Sequence, residues 1–179
     1  MLHKTSTKIL LTLFALGLIF WIGGTLVRAP IAFDMFEPGT QFQLKENYST
    51  EVRMHSVYLY TMLSPYPGTG FIVAFITGII LMIRWRKYMK SHGWLLMSSV
   101  LFIIASIIEI ILLYYDLKLG MTIYWYDVDN FWNENIQTFF VQRYRDIIIS
   151  TLSGLGFLSA MTIVIYTIWQ PLNKNKSND

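Results

Sequence analysis

Four continuous apolar runs constrain this chain more than anything else in it. They occupy residues 9–27, 66–85, 94–115 and 147–169, and each is close to the ~20 helical residues that cross a hydrocarbon layer of roughly 30 Å. An α-helix satisfies its own backbone polar groups, so apolar runs of this length fold as spans when lipid surrounds them. The first run carries no charge, the second is entered through Pro65 and Pro67, the third is interrupted only by Glu109, and the fourth stops before Pro171. With 54% hydrophobic and 14% charged residues in a chain of 179, there is more apolar surface than one soluble core of that size buries. The expected fold class is all-α: a single integral membrane domain over residues 1–179, a four-helix bundle with an outer amphipathic helix between its first and second spans.

The basic residues set the expected orientation. Arg84, Arg86, Lys87 and Lys90 share one short connection without an acid, and Lys4, Lys8, Lys174 and Lys176 fall on the same side. That side is read as cytoplasmic, with both termini on it and the chain in a bacterial inner membrane. The long connections over 28–65 and 116–146 mix Asp34, Glu37, Glu46, Glu51, Asp127, Asp129 and Glu134 with fewer bases, and face outward. A secretory signal is the other reading of the first run, through Lys4, Lys8 and a loose cleavage pattern at Val27-Arg28-Ala29. Its apolar stretch exceeds the usual signal core of about 7–15 residues, which favours a retained span.

In the first outer segment, Leu44, Tyr48, Val52, His55, Leu59 and Met62 recur at helical spacing against Lys45, Glu46, Glu51 and Arg53. This predicts an amphipathic helix within 44–63 with His55 on its buried side. Glu37-Pro38-Gly39 reads as a stop, so the first helix is expected to pass Pro30, kinked there, and reach about Phe36. The second outer segment carries Tyr124-Trp125-Tyr126 and Phe131-Trp132, either an interfacial aromatic belt or a ledge for a quinone or lipid. Helical spacing resumes at Ile136, Phe139, Phe140 and Tyr144. Ser150 with Gly154, Gly156 with Ala160, and Gly23-Gly24 are read as sites of close helix packing.

Glu109 is the most informative single residue, because a carboxylate in hydrocarbon is costly unless it is paired or faces an internal cavity. Ser98, Ala105, Ser106, Glu109 and Asp116 fall near one helix face, expected to look into the bundle. The candidate intramembrane polar site is Glu109 with Arg28, His55, Arg143 or Arg145 as partner. Two readings stay open: a structural ion pair, or a proton, substrate or ion site.

Metal and cofactor chemistry gains little support. The chain has no cysteine, which removes thiolate ligands, thiol nucleophiles and disulfides. Met54-His55 is a pair that copper can use, but His3 and His92 lie on the opposite side, so no two histidines are placed to share a metal or a haem. Asp127-Val128-Asp129 lacks the glycine and third oxygen ligand of an EF-hand, having Phe131 there instead. The expectation is therefore no metal and no cofactor.

Trp21-Ile22-Gly23-Gly24, then Ala29-Pro30-Ile31-Ala32-Phe33, and the Arg143-Tyr144-Arg145 entry to the last span resemble small bacterial four-helix membrane proteins of the anthrone oxygenase-like and copper-resistance D-like types. The resemblance implies the four-helix topology. The paired intramembrane histidines of the copper proteins are missing, which speaks against copper transport. The first functional expectation is a non-catalytic membrane subunit or accessory protein. It would contact the lipid bilayer and a protein partner or second copy of itself, and no nucleic acid. The alternatives are a small transporter or proton- or ion-binding protein using Glu109, and an enzyme acting on a lipophilic substrate such as a quinone or polyketide. The enzyme needs a lipid-accessible cavity beside Glu109, and the transporter needs a polar path to the cytoplasmic side.

Overall fold

The computed structural model describes residues 4–125 and 134–172. Apart from one isolated β-bridge, regular structure among the described residues is helical: α1 (Thr5–Phe33), α2 (Thr50–Met62), α3 (Pro65–Trp85), α4 (Gly93–Trp125), α5 (Glu134–Arg145) and α6 (Ile147–Trp169). Four helical stretches are long and apolar enough to cross a membrane, supplied by α1, the α2–α3 stretch, α4 and α6.

α1 passes Pro30, whose missing N–H falls in the last turn, and stops at Phe33 rather than near Phe36. The backbone then folds back on itself. Glu37 N–H donates to Gln43 at 2.8 Å, Lys45 N–H donates to Met35 at 3.0 Å, and Phe36 bridges Leu44. Gly39, at φ +77°, supplies the left-handed turn that this reversal needs. Residues 44–49, expected to belong to the amphipathic stretch, lie outside α2, which begins only where the Ser49 hydroxyl accepts from the Val52 N–H.

The face of α2 is a correction. Val57, Tyr60 and Thr61 are buried, while His55, Val52, Leu59 and Met62 point outward. The expected apolar stripe is the one that leaves the protein. The buried stripe is set by what α2 packs on: Ala32, Met35, Phe36, Leu119, Ile123, Ile136 and Phe140 form a cluster with Val57 and Tyr60. Phe36 stacks on Phe140 at 6.0 Å and Tyr60 meets Phe140 edge-on at 5.4 Å, contacts worth about 0.5–1.5 kcal/mol each beyond burial.

α4 runs on to Trp125 where 115 is expected, so its 33 residues make a rod of about 50 Å, longer than the hydrocarbon layer. Between α5 and α6 the chain breaks at Asp146 rather than running on. The Asp146 carboxylate accepts from the N–H groups of Ile148 (2.8 Å) and Ile149 (3.3 Å), capping α6. The Asp127, Asp129, Phe131 and Trp132 readings fall outside the described residues.

The long helices associate as two close pairs, α1 with α3 and α4 with α6. Backbones touch in the first pair: a β-carbon on Gly17 would lie 2.6 Å from the Ala74 nitrogen, one on Gly24 2.8 Å from Pro67 Cδ, and one on Gly70 against the Trp21 nitrogen. In the second, Gly156 faces Ile108 at 3.2 Å. Gly23 and Gly154, also read as packing residues, have open space before them. Among the described residues, α1 and α6 are not closely packed together, and the site lies in that seam.

Candidate functional site

The C-terminal half of α1, the middle of α4 and the N-terminal half of α6, with Tyr60 from α2 and Arg143 and Tyr144 from α5, line a cavity of about 110 Å³. That is room for several waters or a ligand head group, since a water needs roughly 10–15 Å³ on this measure. Glu109, Arg28, Asp116 and Arg143 line it, and Ile22, Phe33 and Phe157 supply apolar wall.

Asp116 is the electrostatic centre. Arg28 Nη1 donates to its Oδ2 at 2.9 Å, Arg143 Nε stands 3.5 Å from its Oδ1, and the Tyr60 hydroxyl donates to Oδ1 at 3.4 Å. Arg28, Asp116 and Arg143 are 5%, 8% and 9% exposed, so the cluster is shielded from bulk solvent. Charges so buried persist only when paired and hydrogen-bonded. The Arg28 guanidinium also lies 4.0 Å over the Tyr60 ring, a cation–π contact strengthened by desolvation. Its Nε and Nη2, and Nε of Arg143, are nevertheless buried without a hydrogen-bond partner. Such donors carry the desolvation cost in full, about 1–3 kcal/mol each.

Glu109 shares the cavity and lies within Coulombic reach of Arg143 and Arg28, beside Trp21. It makes no ion pair with any base among the described residues. Of its four candidate partners, Arg28 and Arg143 come to the same cavity, whereas His55 lies exposed on α2 and Arg145 borders a separate outer groove with Glu37 and Glu46. Asp116 was visible as the residue two turns beyond Glu109 on one face, with Ser98, Ala105 and Ser106, all of which are buried. Its pairing role follows only once α1 and α5 are placed. Nothing in the sequence singled out Tyr60 as the ring under Arg28.

A second polar cluster sits outside the spans. Lys45 Nζ donates to Asp34 Oδ1 at 3.0 Å and the Tyr48 hydroxyl donates to Asp34 Oδ2 at 2.9 Å, holding the Asp34 carboxyl below its ordinary value. It clasps the reversal after α1. Among the described residues, no group of three or more His, Cys, Asp or Glu converges as a metal ion would require.

No protein-family profile matches the chain, and no curated protein or solved structure matches it significantly. The site's own geometry therefore carries the functional reading.

Proposed function

We propose that this chain is a multi-pass protein of the bacterial cytoplasmic membrane that binds a lipophilic molecule by its polar head in the outer half of the bilayer, serving a membrane complex as an accessory subunit. In this reading α1, α3, α4 and α6 form a four-helix bundle, and α2 and α5 cover its outer end. α2 is the outer amphipathic helix, presenting Val52, Leu59 and Met62 to the headgroup region. Both termini and the connection bearing Arg84, Arg86, Lys87 and Lys90 face the cytoplasm.

The observation that carries the proposal is the cavity itself. Glu109 and Arg28 line it in the seam that α1 and α6 leave unpacked. A loosely packed seam between two spanning helices beside a polar pocket offers a membrane-dissolved ligand a route in without crossing water. The transporter reading has less behind it, because on the inner side of Glu109 the interior is filled by Trp21, Phe71, Ala74, Phe102, Ala105 and Ile163. An enzyme with Glu109 as acid or base on the same ligand is the second reading, favoured by the placement of that carboxylate in the cavity wall.

Native mass spectrometry of the protein extracted from its own membrane tests the proposal. Wild type should retain a lipophilic molecule. Ser153→Phe, which fills the cavity, should lose it, and Thr151→Phe on the exposed face should not. Equal retention by both variants would refute the site. A reporter fused after Lys90 that reads as external would overturn the orientation.

A further inference from the structure

The arginine in the cavity wall specifies which head group fits. Arg28 spends Nη1 on Asp116, while Nε and Nη2 remain buried without a partner. Those two nitrogens form the side-on edge of a guanidinium, where two N–H bonds run parallel and match a pair of oxygens on one phosphate or carboxylate. The edge is also held in place. Tyr60 lies 4.0 Å beneath the guanidinium plane and Asp116 fixes its third nitrogen, so little side-chain freedom is left to lose on binding.

Charge and depth narrow the choice further. Arg28 and Arg143 against Asp116 leave one positive charge in excess at this level, and Glu109 lies seven residues earlier on α4, about 10 Å deeper. Counted along α4 from Trp94, Asp116 stands about 33 Å up, past a hydrocarbon layer of roughly 30 Å. The fork therefore lies at the height where lipid phosphates reside. The apolar seam beside it, walled by Phe33 and Phe157, gives a lipid tail a course back into the bilayer.

Building on the ligand-binding reading above, we infer that the site takes the phosphate oxoanion of an outer-leaflet amphiphile, bidentate on Nε and Nη2 of Arg28, with Arg143 Nε as a further donor. A quinone carbonyl offers one acceptor atom and no charge, and so uses neither the parallel edge nor the excess positive charge. Both Arg28 nitrogens are covered by protein atoms, so the entering oxoanion displaces the groups that cover them.

The test uses the full chain in dodecyl maltoside, whose head is uncharged, with calorimetric titration of dodecyl phosphate, decylubiquinone and inorganic phosphate. Wild type should bind dodecyl phosphate at least tenfold more tightly than either of the others. Arg28→Lys, which keeps the charge and loses the fork, should lose that preference. The wild-type ranking stands as a test even if the variant does not fold. Equal or tighter binding of decylubiquinone by wild type would overturn the phosphate assignment and leave the lipophilic cavity standing. Inorganic phosphate binding as tightly as dodecyl phosphate would keep the fork but overturn the lipid source. Binding of none of the three would remove both the assignment and the cavity reading.

Discussion

Replacing Asp116 by Asn is the perturbation that most directly probes what fastens α1 to α4 and α5. The side chain keeps its size and loses its charge, leaving Arg28 and Arg143, both at least nine-tenths buried, facing each other without an anion between them. Removing one partner of a buried pair costs about 3–5 kcal/mol, mostly because the remaining charge stays desolvated. Two effects pull in opposite directions. Two bases are stranded rather than one, but Arg143 contacts Asp116 only at 3.5 Å without a hydrogen bond, so it loses less than Arg28 does. A destabilisation near ~3 kcal/mol is expected, which for a chain of this size lowers the melting temperature by about 6–12 °C. Thermal unfolding of the detergent-solubilised protein measures it. Adding Arg143→Met should recover part of the loss, because one stranded charge is gone, and the non-additivity reports the coupling. Glu109→Gln, by contrast, breaks no ion pair and should shift melting by less than about 2 °C, in the range of ordinary near-neutral substitutions. Asp116→Asn melting within that same margin would refute the view that the Arg28–Asp116–Arg143 cluster fastens α1 to α4 and α5.

Two further outcomes follow from other parts of the fold. Gly70→Val should destabilise by about 1–3 kcal/mol, because its β-carbon meets the Trp21 backbone rather than a movable side chain, while Gly23→Val on the open face of α1 should melt close to wild type in the same assay. The Asp34 carboxyl, held below its ordinary 3.8 by Lys45 and Tyr48, supports the reversal after α1 at every pH above its ordinary value and loses that support as pH falls through the lowered one. Hydrogen-exchange protection of residues 35–45, corrected for intrinsic rates, should therefore fall below about pH 3.8 in wild type and be low and flat with pH in Asp34→Asn; a pH-independent wild type would refute the clasp.

The sequence made the spans legible because lipid imposes a length and an apolarity that no tertiary contact has to supply. Glu109 and Arg28 stood out for the same reason: charge is expensive there wherever the neighbours are. What could not be read was any fact that depends on which element faces which. The period of α2 is visible, but its phase is not, since in a membrane an apolar stripe can turn toward the protein or toward the lipid. Val52, Leu59 and Met62 turn outward, and the buried stripe is Val57, Tyr60 and Thr61, two of which carry hydroxyls. Tyr60 is buried because Arg28 lies on its ring and Phe140 abuts it, and neither contact exists until residues 32 and 80 positions away in the chain come together.

The same reasoning explains why Glu109, and not Asp116, drew attention as the acid to be paired. By depth alone Glu109 is the costlier charge, yet Arg28 and Arg143 approach from the C-terminal parts of α1 and α5, and Asp116 is the carboxylate they meet. Ion pairing in a helical membrane protein is decided by matching levels along parallel rods. Counting each rod from its own membrane entry can reveal such a match, provided the entry is known. α4 continues to Trp125, so Asp116, expected at the start of a connection, is held on a rigid helix at the level of the arginines. Placed on the full helix, Asp116 completes the charge balance of the arginines, and Glu109 is the one acidic group of the cavity that no base holds in an ion pair.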